Sequence, residues 1–132
     1  MSMMNEMMSS MPTAMADMDM TMMQEAIGAC TAVEQAATMC ADADAAMDGM
    51  AACAGMCANM ADVAHTMTRM MMRPNGLNMD SLTAMMRATV TMGQACGAEC
   101  QSHAEMADHC RICAQACDAM VANLTAMMAT LG

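Results

Sequence analysis

The residues able to do chemistry are concentrated between Cys96 and Cys117, in the stretch CGAECQSHAEMADHCRICAQAC. It holds five of the nine cysteines and two of the three histidines of this 132-residue chain. Three spacings overlap in it: Cys96-x3-Cys100, Cys110-x2-Cys113 and Cys113-x3-Cys117. On a helix, residues three and four apart share a face, so Cys96 and Cys100 stand as one vertical pair. Cys110, Cys113 and Cys117 form a second stripe. Thiolates aligned along helices suit soft metals, Cu(I) first, with zinc or iron–sulfur behind.

The elements that must position these thiols follow from the periodicity of the rest. Met23, Ala26, Cys30, Val33, Ala37 and Cys40 alternate by three and four, as do Met50, Cys53, Cys57, Met60, Ala64, Met67 and Met71. That is a heptad seam. Leu82, Met86, Thr89, Gly93, Cys96, Cys100 and His103 continue it in a third segment, and Met106 to Leu131 in a fourth. The pattern predicts helices over about 19–41, 45–72, 80–103 and 107–130. Ala41–Asp44 reads as the first turn, with Asp44 as N-cap of the second helix, and Asp80 as N-cap of the third. Arg73-Pro74-Asn75-Gly76 is a firm stop. The boundary near His103–Ala107 has no Gly or Pro; a turn is placed there because one unbroken helix would leave the seam without an antiparallel partner. The expected fold is all-α, an antiparallel up-down-up-down four-helix bundle, preceded by a Met-rich N-terminal tail over 1–18.

In that topology the ends of helices one and three meet the starts of helices two and four. Cys40, Cys53, Cys100, His103, Met106, His109 and Cys110 then fall at one end, with Met39, Met47 and Met50 beside them. Cys57, Cys96 and Cys113 lie deeper, followed by Cys30 and Cys117. The far half contains Met23, Met67, Met71, Met86, Leu124 and Met127. At about 1.5 Å per residue the cysteines fill roughly half of a bundle about 35 Å long. A free cysteine is often only a small buried hydrophobe, but so many on four seams and at one end make a thiol-lined channel. Met60, Met92 and Met120 border that zone as candidate thioether ligands, whereas Met71, Met86 and Met127 read as packing. His65 reads as surface or core, and the acidic residues, Asp44 and Asp48 among them, as solvated faces and caps.

Composition supports this and excludes much else. The chain has 28 methionines and no Phe, Tyr or Trp, so the core must be built from Met, Ala, Cys and Leu, a mixture that favours helix over sheet. A formal charge of −10 with four arginines and no lysine argues against nucleic acid, which needs a basic footprint, and against anionic membranes. No continuous apolar run approaches the ~20 residues of a spanning helix, and no signal peptide is visible. Nine thiols is an odd number for a disulfide framework. Residues 1–20 show no sustained helical period and read as mobile. Eleven methionines within residues 1–23 nevertheless suggest copper capture, because a neutral thioether binds Cu(I) without losing a proton.

HCRICAQAC, preceded by CGAECQSHAEMAD, resembles the last two helices of the bacterial four-helix-bundle copper storage proteins. Cys30, Cys40 and Cys53-x3-Cys57 fit that pattern more loosely, so the resemblance spans about residues 21–132. It implies interior cysteines that bind multiple Cu(I) ions through paired thiolates, Met and His at the open end, a homotetramer, and a copper donor or acceptor as partner. This chain has fewer cysteines, with Met where more would stand. Rival readings are an iron–sulfur or zinc module using Cys110, Cys113 and Cys117 and a thiol redox pair at Cys110–Cys113. Thiols want a reducing compartment, which favours the cytoplasm, with an exported mature form as the alternative.

Overall fold

The structure, a computed structural model, describes residues 2–10 and 19–131. Five α-helices and no strand occur among them: α1 (Met3–Ser10), α2 (Met20–Ala45), α3 (Ala51–Met71), α4 (Met79–Gln101) and α5 (Asp108–Leu131), with a short 3-10 turn at Pro74–Gly76 between α3 and α4. Helices α2 to α5 form the bundle: α2 packs on α3 and α5, and α4 packs on α5 and α3. Contacts fix the directions. Cys40 near the end of α2 meets Cys110 at the start of α5, and Cys53 at the start of α3 meets Cys100 at the end of α4. Neighbours are therefore antiparallel.

The buried positions are those of the seam. Met23, Ala26, Cys30, Val33, Ala37 and Cys40 are buried on α2; Cys53, Cys57, Met60, Ala64, Met67 and Met71 on α3; Cys96 and Cys100 on α4; Cys110, Cys113, Cys117, Met120, Leu124 and Met127 on α5. By length and mean hydropathy α5 would suffice to cross a membrane, although it contains no continuous apolar run of that length. Its apolar character is that of a core helix: one stripe of thiols, Met120, Leu124 and Met127 faces the other three helices.

Several boundaries differ from the expected ones. Helix α2 does not stop at Ala41 but continues to Ala45, because alanine is a strong helix former and the two aspartates are tolerated within it. The turn comes later, at Gly49, whose φ of 78° is a left-handed conformation that only glycine adopts without strain. Asp44 is thus helical and buried, neither a cap nor a solvated side chain. The caps are Asp19, whose carboxylate accepts from the Thr21 N–H at 2.9 Å, and Asn78 rather than Asp80, accepting from the Ser81 N–H at 3.0 Å. At the N-terminus, Met3–Ser10 is helical although no period was read there. Met4 and Met8, four apart, supply its inward side: Met8 is buried in the core and Met4 half-buried against it. Residues 11–18 of the expected tail lie outside the described residues.

Helix α4 approaches α5 closely at Gly93. A Cβ there would lie 2.8 Å from Met120 Cε and 2.9 Å from Val121 Cγ2. Gly93→Val is expected to lower stability by about 1–3 kcal/mol through overpacking, measured by urea unfolding. Gly93→Ala should cost less than Gly93→Val, since Met120 Cε can move aside and helix propensity gains up to about 1 kcal/mol, but a net loss should remain because the β-branched Val121 cannot readily turn away.

Candidate metal centre

The four seams converge on a continuous run of sulfur. All nine cysteines are unpaired and buried, and three groups of donors lie with their ligand atoms all within 4.8 Å of one another. At the mouth, Cys40, Asp44, His109 and Cys110 form the first group. One step in, Cys40, Cys53, Cys57 and Cys100 form the second, and Cys57, Cys96, Cys100 and Cys113 the third. Shared members join them: Cys40 belongs to the first two, Cys57 and Cys100 to the last two. An ion held in one group therefore has a bridging sulfur in common with the next.

Distances within the run are those of packed thiols. Cys57 Sγ lies 3.5 Å from Cys100 Sγ, 3.8 Å from Cys96 Sγ and 4.0 Å from Cys113 Sγ. Cys53 Sγ is 3.9 Å from Cys100 Sγ, and Cys40 Sγ is 3.9 Å from Cys110 Sγ. Disulfides need about 2.05 Å. At metal–sulfur lengths of about 2.3 Å the sulfurs around a three-coordinate soft ion stand about 4.0 Å apart and those of a two-coordinate one about 4.6 Å apart, so the packed thiols need to move outward only a little to admit one.

Protonation states are set by crowding in an apolar interior. Burial raises the Cys30 and Cys40 thiols to about 12, and Cys53 is raised too, first by burial and then by the hydrogen bond to Asp44. Cys110 is raised by burial and by the Asp44 charge. Cys57 and Cys113 are also raised, chiefly because each donates to Cys100. Cys96 and Cys100 go the opposite way, held down by S–H donation from their neighbours, Cys100 and Cys113 first for Cys96 and Cys113 first for Cys100. In the S–H network the α4 sulfurs are thus the principal acceptors and the surrounding thiols the donors. All nine cannot ionise together without a cation.

The mouth is organised by a residue that periodicity assigned to the surface. Burial alone would raise Asp44, but hydrogen bonds from Cys53, His109 and Cys110 outweigh it and hold the carboxyl below its ordinary range. His109 Nε2 lies 2.9 Å from Asp44 Oδ1. The Cys110 thiol donates to Oδ1 at 3.6 Å and the Cys40 thiol to Oδ2 at 3.7 Å. The imidazole is half-buried, so it bridges solvent and the first thiols.

Other candidates stand further off. His103 lies in the α4–α5 turn, with Nε2 2.8 Å from Glu99 Oε2, apart from the three groups. His65 pairs with Glu34 on the surface. Met50, Met60 and Met120 are buried, Met47 and Met92 half-buried, while Met39 and Met106 are 71% and 68% exposed and point away from the interior. Cys30 is buried but outside every group. Cys117 interacts with Cys113 and Cys96, deepening the run by one turn. The rival arrangement is not assembled: Cys110 joins the mouth group and Cys113 the deepest one, so Cys110, Cys113 and Cys117 do not surround a single ion. Nor do Cys110 and Cys113 have the lowered pKa of a redox thiol; both are raised.

Comparison with known proteins agrees. No curated protein sequence matches the chain. Among solved structures, the copper storage protein Ccsp from Streptomyces lividans, loaded with 10 copper equivalents, is 30% identical; the match covers 96% of this chain and 98% of that one with a TM-score of 0.91. A Ccsp mutant from the same organism with one histidine replaced by alanine is 33% identical over 89% of this chain and 100% of its own, TM-score 0.85. A cytosolic copper storage protein from Streptomyces lividans with five coppers is 32% identical over 83% and 93%, TM-score 0.79. The sequence model of the copper storage protein family matches residues 15–129, and the chain belongs to that family.

Proposed function

We propose that this protein stores Cu(I), taking up multiple ions along the sulfur run and admitting them past Asp44, His109, Cys40 and Cys110. The observation that carries the reading is the chaining of the three donor groups through Cys40, Cys57 and Cys100. A single-ion site needs one such group; a store needs adjoining ones. Each ion that binds takes the place of thiol protons, and thiolates shared between ions spread the charge. The carboxylate, the imidazole and the two outermost thiols offer exchangeable first ligands before the ion passes to sulfur alone. Cargo enters and leaves unchanged, with no turnover.

The resemblance also supports a homotetramer, a donor or acceptor protein that meets the mouth, and a cytoplasmic setting where thiols stay reduced. The relative described as cytosolic supports that compartment. Light scattering that returns a single-chain particle would remove the tetramer from the proposal.

Anaerobic titration of the reduced protein with Cu(I) against a competing chelator is the direct test. Thiolate-to-copper absorption in the ultraviolet should rise linearly to several equivalents per chain. Saturation at one ion or none would sink the storage reading.

Proton competition gives a second expectation. Because burial raises Cys40 to about 12, it is protonated at neutral pH, and Cu(I) must displace that proton. Apparent affinity should therefore fall as pH falls, by about tenfold per unit for each proton displaced. A pH-independent affinity in the thiol phase would contradict this.

Asp44 provides a third. Its carboxyl is held below the ordinary range, so its stabilising contribution is present above about pH 4 and is lost as pH falls through its folded value. Asp44→Asn should flatten the acid limb of a stability–pH curve. It should also slow loading from a chelated donor several-fold while leaving final capacity within one ion, measured by stopped-flow ultraviolet absorption.

A further inference from the structure

Helix α1 carries four of its eight residues as methionine, and together with Met72 they enclose a space that the thiol run does not reach. Among the described residues, a cavity of about 230 Å³ is lined by Met3, Met4, Met7, Met8 and Met72. Met3 and Met7, and Met4 and Met8, are each four apart, so one turn separates the members of each pair on adjoining faces of the helix. Met72 closes the wall from the end of α3.

Packing accounts for only part of this. Met8, 4% exposed, and the half-buried Met4 supply the contact that seats α1 on the bundle. Met3 and Met7 are 76% and 51% exposed and bury little, yet they also border the cavity. Polar residues would serve a surface position better, and Asn5, Glu6, Ser9 and Ser10 on the same helix show that they are available. What the five side chains share is a neutral, polarisable thioether. Among the described residues no carboxylate, imidazole or thiol is in the lining, so a hard or divalent ion finds no suitable donor among these side chains. A soft monovalent d10 ion does, and the net charge of −10 favours its approach.

We infer that Met3, Met4, Met7, Met8 and Met72 form a thioether-only site for one Cu(I) ion, separate from the thiol store. The site rests on the storage reading only for the identity of the ion. It lies at the opposite end of the bundle from the mouth: Met72 is nineteen residues beyond Cys53, about 28 Å along the axis. Between them stand Met67, Met71 and Met60, buried on α3. The site holds copper with a weaker, neutral ligand set and without displacing a proton, at a solvent-facing position.

The test is made on the full-length reduced protein with [13C-methyl]methionine, under anaerobic conditions, with Cu(I) supplied as its acetonitrile complex. Thiols are filled first, until the ultraviolet thiolate-to-copper absorption stops rising. Further Cu(I) is then expected to shift the methyl resonances of Met3, Met4, Met7, Met8 and Met72, leaving Met86 and Met127 in place. A variant carrying Met3→Leu, Met7→Leu and Met72→Leu keeps the apolar volume and should bind one equivalent fewer, with the thiol phase unchanged. Because Met8 and Met4 are retained, α1 still has its packing contacts, and Met72→Leu alone should already weaken the last equivalent if the triple variant misfolds. Unmoved resonances of these five, or an undiminished capacity in the Leu variants, overturn the site while leaving storage intact. If thiolate absorption never rises, storage fails instead, and shifts at the five methionines would still establish the thioether site.

Discussion

A thiol is cheap to bury and a thiolate is not, and this difference governs the structure. Packed as S–H groups at 3.5–4.0 Å from one another, the cysteines behave as small apolar side chains and let four helices close on one another. Ionised together in the same volume, they would repel strongly at low dielectric. The interior is therefore stable as a protonated core or as a cation-filled one. Everything else follows from keeping those two conditions exchangeable: the seam spacing that stacks the sulfurs, the absence of aromatics that would separate them, and the polar group at one end.

That polar group explains how the exchange can begin. A buried carboxylate costs several kcal/mol unless it is paired, and Asp44 is paired by two thiols and an imidazole. It brings one fixed negative charge to the threshold of a neutral channel. The imidazole of His109, half-buried and 2.9 Å from Asp44 Oδ1, lies between that carboxylate and solvent. Oxygen, nitrogen and sulfur donors thus sit side by side at the point where the first sulfur must lose its hydrogen.

Much of this was legible in the sequence, and the parts that were not have identifiable reasons. The alternation by three and four placed every thiol on the inner face, and chain order alone gathered them at one end. The same alternation runs from Ala37 through Cys40 to Asp44, which marks Asp44 as inward. Ala41-Asp42-Ala43-Asp44 has the composition of a turn, but the real stop is the left-handed Gly49. Helix α1 leaves little trace in the sequence because one buried contact, Met8, is too little periodicity; tertiary packing against α2 makes it a helix, as it does for most short segments. The methionines were the hardest to sort, since thioether ligands and thioether filler have the same side chain. Burial separates Met39 and Met106, which face outward, from Met60 and Met120, but does not distinguish ligand from packing.

The three donor groups draw on α2, α3, α4 and α5 together. Cargo in them would act as a set of cross-links among helices that are otherwise held at that end by small side chains. A binder of the native state stabilises it in proportion to its own affinity, so a filled chain resists opening and an empty one opens more readily. Since proteolysis follows the open population, the empty chain would be the shorter-lived one. Through this the amount of protein present would track the amount of metal it holds, without a dedicated sensor.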